Sequence, residues 1–282
     1  MKRGSICLVL MLVLATAACR RESGPPQVPA PAQDAQMSGP DGASVPRPAA
    51  PAVPVELEDV IEHDPRFVVG ISYPSAASRY PGLAAELNRY AQAARAELAA
   101  AVDAMGEGRP PAPYDLSLEF RMVAETPRVV AVAADGSTYT GGAHGNPLVA
   151  RFVWLPRQQR LLRAQDLFAD QSGWQALAGY VREQLHAELS QRVDAEELEP
   201  GQRLETIRSA GRMIDEGSAP DPDNFAHFEP VMAVDGRIRA LRFVFPPYQV
   251  APYADGTRSV EVPADVLAAH LAEPVKPLFV TG

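Results

Sequence analysis

The spacing of hydrophobic and polar positions changes along the chain, and these changes predict the first elements. Residues 66–74 ("RFVVGISYP") form a short apolar run that is typical of a strand. From 81 to 105 the apolar side chains recur every three or four residues, which predicts a long amphipathic helix with Pro81 in its first turn. Residues 114–123 alternate with period two, as expected of a strand with one buried face.

The same spacings continue to the end of the chain. Further strands are predicted at 128–134, at 147–155, in a hairpin over 228–245 that turns at Asp235-Gly236, and at 258–263. Further helices are predicted around 174–189, 202–214 and 264–271. Strands that follow one another closely, with helices between the groups, indicate an α+β fold. We expect a mainly antiparallel sheet packed with two longer helices and one or two short ones.

The N-terminus has the pattern of a secretory signal. A basic start at Lys2-Arg3 is followed by the apolar run "ICLVLMLVLATAA" at 6–18. The sequence "LATAAC" resembles a bacterial lipobox, which predicts signal cleavage after residue 18 and lipidation of Cys19. Ordinary cleavage beside an incidental cysteine is the alternative. Because Arg20 is not the aspartate that retains lipoproteins in the inner membrane, we expect a lipid-anchored envelope protein at the outer membrane, facing the periplasm.

A tether and one folded domain are predicted after the signal. Residues 19–54 hold the lipidated cysteine and the stretch "PPQVPAPAQDAQMSGPDGASVPRPAAPAVP", which contains nine prolines and almost no large apolar side chain. Such a composition cannot offset the entropy of ordering, so a disordered spacer is expected. Residues 55–282 are long enough for a single α+β domain.

Charge and cysteine content exclude several classes of function. Cys7 would leave with the signal and Cys19 would carry lipid, so the mature domain has no disulfide, thiolate nucleophile or zinc–thiolate site. Removal of Lys2 and Arg3 leaves a formal charge near −11, with Lys276 as the one remaining lysine. This excess of acidic residues argues against a nucleic acid as the partner and favours a cationic partner.

Local motifs for catalysis or metal binding are missing from the sequence. The five histidines do not form a close pair such as H-x-x-x-H, and the segment "DPDN" at 221–224 lacks the later positions of a calcium loop. We therefore predict no catalytic residue, no metal site and no cofactor. A catalytic or metal-binding pair formed by distant side chains that the fold brings together remains an open alternative.

One glycine-rich segment stands out between two predicted strands. We predict a loop in which Gly141 and Gly142 adopt positive φ and His144 is presented beside them. The candidate loop residues are Tyr139, Thr140, Gly141, Gly142, His144, Gly145 and Asn146. Three readings remain open: a structural loop with His144 bonded to backbone, a loop that contacts a ligand or partner, and a catalytic loop.

A second unusual loop follows the predicted hairpin. It lies in "FPPYQVAPYADGTRSVEVP" at 245–263. Its candidate residues are Tyr248, Pro252, Tyr253, Asp255 and Gly256. Because both loops carry turn-forming residues and are flanked by strands, we predict that they lie close together in the fold.

These segments carry a family resemblance. "YTGGAHGN" (139–146), "LLRAQDLF" (161–168) and the second loop resemble the extracytoplasmic domain of RsiV-type anti-sigma factors, over roughly 60–272. The N-terminal portion also resembles the non-catalytic module of PdaC-type peptidoglycan deacetylases. In RsiV-type proteins this domain binds lysozyme and triggers release of a sigma factor. This chain lacks the sigma-binding segment, the later transmembrane helix and the deacetylase catalytic region, so the resemblance implies the binding module alone.

Three functions are compatible with this sequence. The first is a non-catalytic envelope lipoprotein that binds a lysozyme-type muramidase or peptidoglycan. The second is an enzyme acting on cell-wall glycan, with His144 and an acid supplied by the fold. The third is a structural envelope lipoprotein without a specific ligand. The surroundings of His144 discriminate between the first two, because an enzyme needs a second titrating group in a concave site.

Overall fold

A computed structural model describes residues 55–280. The predicted signal, Cys19 and the tether up to residue 54 lie outside the described residues, as do 281 and 282. The described residues belong to one compact unit. Of the helices between 55 and 280, none combines the length and apolar character needed to cross a bilayer.

Six strands build the larger sheet, in spatial order β1 to β6. The strands are β1 (Val60–Asp64), β2 (Phe67–Ser72), β3 (Tyr114–Glu125), β4 (Val130–Tyr139), β5 (Asn146–Leu155) and β6 (Arg160–Leu161). All neighbours pair antiparallel except β2 and β3, which are parallel. The exception arises because α1 (Pro81–Met105) carries the chain back between them, and parallel neighbours need such a crossover.

The smaller sheet has three antiparallel strands and lies beside the long helices of the second half. Its strands are β7 (Phe228–Met232), β8 (Ile238–Phe245) and β9 (Arg258–Pro263). The helices are α2 (Gln171–Ala195), α3 (Pro200–Gly217) and α4 (Ala264–Ala268). The predicted α+β class with a mainly antiparallel sheet is therefore confirmed, and the two longer predicted helices are α1 and α2.

Two hydrophobic cores lie on opposite faces of the larger sheet. The first packs α1 against one face, with Leu83, Leu87 and Leu98 completely or almost completely buried. The second gathers α2, α4 and the smaller sheet, together with Val153 and Leu155 of β5. Alternate residues of β5 enter different cores, so this strand is shared between them.

Several boundaries differ from the sequence predictions. The strand predicted at 66–74 is the second arm of a hairpin whose first arm, β1, carried no clear pattern. β4 continues past the predicted end at 134, because Gly136 lets β3 and β4 approach closely. A Cβ at Gly136 would lie 2.0 Å from the carbonyl oxygen of Ser117. The helix predicted to reach 271 ends at Ala268.

Candidate functional site

The glycine-rich loop joins β4 to β5 at the surface. Gly141 and Gly142 have φ angles of 98° and 105°, which confirms the predicted positive φ. Few residues other than glycine tolerate such φ angles. Tyr139 and Asn146 were predicted as loop residues, but they are the last residue of β4 and the first of β5. The Tyr139 hydroxyl donates to the Gly142 carbonyl oxygen at 3.3 Å and closes the loop.

His144 is exposed, and its two ring nitrogens have different partners. Nδ1 lies 3.1 Å from the Gly145 carbonyl oxygen, and Nε2 lies 2.9 Å from the Tyr248 hydroxyl. A carbonyl oxygen can only accept, so Nδ1 carries a proton. In the neutral ring Nε2 then accepts from the Tyr248 hydroxyl. The observed contacts thus fix the tautomer and the orientation of this imidazole.

An aromatic cluster forms where the two predicted loops meet; we use this name for His144, Tyr248 and Tyr253. The His144 ring stacks on Tyr253 with centroids 4.0 Å apart and planes at 17°. Tyr248 approaches both rings, with its centroid 5.9 Å from His144 and 5.6 Å from Tyr253. The predicted proximity of the two loops is therefore confirmed. The cluster also connects the β4–β5 hairpin of the larger sheet to the β8–β9 connection of the smaller sheet.

The second loop is held in place by contacts with the helices. The Gln249 side-chain amide donates to the carbonyl oxygens of Gly217 at 2.9 Å and Asn224 at 2.8 Å. Asp255 forms an ion pair with Arg192 near the end of α2. Gly256 follows with a φ of 68°. The loop is therefore fixed on both sides of Tyr253.

Tyr248 is an exposed member of the cluster, with 55% of its surface accessible. It has a positive φ of 74°, which is uncommon for a residue with a side chain. Its amide donates to the Ala251 carbonyl oxygen at 2.9 Å, and this bond closes a tight turn. The turn places the phenol ring at the surface beside His144.

The chemistry of the cluster is that of a contact surface. Among the described residues, the His144 ring contacts a phenol, a stacked tyrosine and a carbonyl oxygen, and it meets no carboxylate. Residues 55–280 also contain no group of three histidine, cysteine, aspartate or glutamate side chains arranged to hold a metal ion. Pro252 and Asp255 line an adjoining groove of about 570 Å³ between the loop and the helices.

Sequence reasoning missed a chain of charged side chains between the two sheets. Arg151 of β5 lies 3.1 Å from Glu229 of β7, and both side chains are more than 90% buried. Glu229 also pairs with Arg242 at 3.0 Å, and Arg242 pairs with Glu261 of β9 at 3.2 Å. The sequence signal was a charged residue inside an otherwise apolar strand, as at Arg151 in "PLVARFVWL".

His227 lies beside this chain of charges. Burial lowers the pKa of His227 below its ordinary value, and the nearby positive charge of Arg151 lowers it further. Asp135, which pairs with Arg151 at 2.9 Å, acts weakly in the opposite direction. The native state therefore favours the neutral form of His227.

The fold and the aromatic cluster define a class of α+β domain with two sheets and two cores, joined at the surface by two strand-connecting loops. Two family models match this chain in tandem: "Deacetylase PdaC" over residues 61–147 and "Protein of unknown function (DUF3298)" over 165–265. The chain thus carries a PdaC domain followed by a DUF3298 domain, which confirms the predicted PdaC- and RsiV-like resemblance. The first loop ends the PdaC match and the second lies in the DUF3298 match.

One solved structure shows a similar fold, and a second aligns less well. A crystal structure of a DUF3298 family protein from Pseudomonas aeruginosa aligns with a TM-score of 0.51 at 15% identity, covering 82% of this chain and 99% of that chain. A DUF3298 family member from Bacteroides fragilis aligns with a TM-score of 0.46 at 18% identity, covering 75% and 87%. No curated protein matches the chain at a significant level.

Proposed function

We propose that the protein is a non-catalytic binding module of the bacterial envelope that recognises a basic, lysozyme-type muramidase through the aromatic cluster. The observation that carries this proposal is the union of the two family-specific loops on an exposed surface. The loops come from different sheets, yet His144 stacks on Tyr253 at 4.0 Å and hydrogen-bonds Tyr248. Together they present one surface rather than two separate turns.

The cluster has the properties of an interface anchor. Tyrosine provides a large apolar area and a polar tip, with few rotatable bonds to immobilise. Tyr248 is 55% exposed and has its ring oriented by His144. Because the ring is already oriented in the free protein, binding loses little side-chain entropy. Residues of this kind contribute a large share of binding energy in protein interfaces.

Charge supports a basic partner. The chain has 35 acidic against 26 basic residues. The groove beside Pro252 adds Glu196 and Glu205 to the surface next to the cluster. Opposite charges accelerate association, and added salt slows it because the Debye length is about 8 Å near 0.15 M ionic strength.

An enzymatic role for His144 receives less support from its contacts. A general base needs a partner acid or a substrate-activating group within hydrogen-bond reach. Within residues 55–280 the imidazole is instead occupied by a backbone carbonyl oxygen and a phenol. We therefore do not transfer the deacetylase activity named by the first family model to this chain.

Calorimetry with the purified protein and a chicken-type lysozyme tests the proposal at about 0.15 M ionic strength. We expect binding by the wild type and about tenfold weaker binding by His144→Ala and Tyr253→Ala. His63→Ala, an exposed histidine of β1, is the matched control and should bind like the wild type. A wild type that does not bind lysozyme, or that binds purified peptidoglycan instead, would contradict the proposed partner. Release of reducing ends from peptidoglycan would contradict the non-catalytic role.

The proposal includes a lipid anchor at Cys19 and an outer-membrane location facing the periplasm. It rests on the "LATAAC" sequence and on Arg20 after the cysteine. Replacement Cys19→Ser should leave a longer precursor without lipid, detected by mass spectrometry of the intact protein. An unmodified mature chain beginning at another residue would contradict the anchor, and recovery in inner-membrane fractions would contradict the location.

A further inference from the structure

A second pocket lies away from the aromatic cluster, beside the edge of β5. It has a volume of about 360 Å³ and is bounded by β5, residues 161–165 and the turn at 222–226. Residues 161–165 belong to the segment "LLRAQDLF", which the family resemblance singled out and which takes no part in the aromatic cluster. The pocket therefore gives this segment a separate potential role.

Arg151 supplies an incompletely bonded guanidinium to this pocket. Its side chain is only 7% exposed. Nη1 donates to three oxygens: those of Ala134 and Ala150 and the Oδ1 atom of Asp135. Nε lies 3.1 Å from Glu229 Oε2 but is not aligned for a hydrogen bond, so this buried N–H has no hydrogen-bond acceptor among the described residues. A buried donor without an acceptor is unusual in native proteins.

The rim of the pocket carries one free charge of each sign. Arg163 and Asp223 both line it and both are exposed. Neither side chain forms an ion pair with another described residue, whereas many of the other charged side chains in residues 55–280 do. The side-chain amide of Gln165 lies on the same rim and can donate or accept.

The backbone next to Arg151 is also unpaired on one side. β6 pairs only with Trp154 and Leu155, and the Leu162 amide donates to the Val153 carbonyl oxygen. Ahead of Val153, no strand is hydrogen-bonded to the outer edge of β5 within the described residues. A strand edge of this kind offers amide and carbonyl groups to an extended ligand.

We propose that this pocket binds the charged ends of an amino acid or short peptide. The carboxylate is held by the guanidinium groups of Arg151 and Arg163, and the ammonium group is held by Asp223. Arginine matches a carboxylate because its planar donors meet both oxygens. A phosphate dianion fits less well, since Asp223 and the buried Glu229 would repel its second charge. An uncharged sugar would leave both rim charges without a partner.

Alanyl-alanine is a suitable probe because it carries both charges on a small body. We expect the amide resonances of residues 161–165 and 222–226 to shift when it is added to the purified protein. Alanyl-alanine amide, which lacks the carboxylate, should bind about tenfold more weakly. Arg163→Gln should weaken the binding of alanyl-alanine by a similar factor. Arg157 is an exposed arginine outside the pocket, and Arg157→Gln should leave this binding unchanged.

Asp223→Asn tests the other end of the ligand. This substitution should weaken the binding of alanyl-alanine but not the binding of N-acetyl-alanyl-alanine, which has no ammonium group. Arg163 and Asp223 are used because both are exposed, so their replacement leaves the buried pair of Arg151 and Glu229 in place. No shift with millimolar alanyl-alanine, equal binding of the three probes, or shifts confined to other residues would overturn the proposal. Lysozyme binding is independent of this pocket and does not enter these outcomes.

Discussion

Tyr248 combines an uncommon backbone conformation with an exposed ring in the aromatic cluster. At a φ of 74° the side chain of an L-residue crowds its own carbonyl group, and the cost is about 1 kcal/mol or more. Glycine avoids this cost, so a tyrosine at such a position is held there by its surroundings. Those surroundings are the backbone hydrogen bond to Ala251, the tilted ring contact with Tyr253 and the hydrogen bond to His144.

The two effects at Tyr248 can be separated by substitution. Tyr248→Ala loses the ring contacts and keeps the backbone cost, whereas Tyr248→Gly loses the same contacts and removes that cost. We expect Tyr248→Ala to lower the free energy of unfolding by about 1 kcal/mol more than Tyr248→Gly. Denaturant titration of the two variants measures the difference. Equal stability of both variants would show that the positive φ stores no strain.

His227 should make stability depend on pH. Burial and Arg151 lower its native pKa, so the unfolded chain, with an ordinary pKa near 6.5, takes up a proton at a higher pH. The contribution of His227 to the free energy of unfolding is complete above the ordinary pKa. It is lost as the pH falls from the ordinary pKa towards the native pKa. Between about pH 7 and pH 5 the wild type should therefore lose stability more steeply than His227→Gln. His63→Gln controls for removal of a histidine elsewhere, and parallel curves for wild type and His227→Gln would refute the assignment.

At the scale of elements, strong periodicity predicted the structure well. The helix expected at 81–105 has the same bounds in α1, because its apolar stripe is regular and Gly106 ends it with a φ of 66°. β1 was missed because "VIEHD" mixes exposed and half-buried side chains at a sheet edge. Such an edge strand is stabilised mainly by its single neighbour, and its own sequence carries little periodic signal.

The contact between α3 and the second loop sets a requirement for glycine. A Cβ at Gly217 would lie 1.9 Å from the carbonyl oxygen of Gln249, so Gly217→Ala must displace the loop or the helix end. We expect it to lower the free energy of unfolding by about 2–3 kcal/mol. Gly179 of α2 is the matched control, because a Cβ there meets no atom within 4 Å. Gly179→Ala should raise stability by about 0.5–1 kcal/mol. The same sign for both variants, measured by denaturant titration, would contradict this packing.

At the scale of the whole molecule, the sequence identified the two loops but not what they do together. Their glycines, prolines and aromatic residues were visible, and so was a reason to expect proximity. The tautomer of His144 and the orientation of Tyr248 depend on residues more than 100 positions apart, and no local pattern encodes that geometry. The pairing of Arg151 with Glu229 was hidden for the same reason.

Shared packing through β5 predicts that the two cores unfold together. The chain has only two tryptophans, and each lies in a different core: Trp154 packs with α1, and Trp174 belongs to α2. The variants Trp154→Phe and Trp174→Phe each retain one tryptophan, which reports on one core. Within each variant, the denaturation midpoint from fluorescence should coincide with that from circular dichroism. A fluorescence transition that is separate from the circular dichroism transition would show that the cores unfold independently.

The two buried faces of the larger sheet also constrain how these domains can be recombined during evolution. Ala124 of β3 and Ala131 of β4 lie within the PdaC match, but they are buried in the core that is built mainly from the DUF3298 half. A PdaC segment that evolved without this neighbour would expose both side chains to water. Lineages carrying it alone should therefore place polar residues at these two positions or recruit another domain to cover them. Comparing the residues at these positions between tandem and solitary PdaC sequences would reveal whether the pair was inherited as a unit.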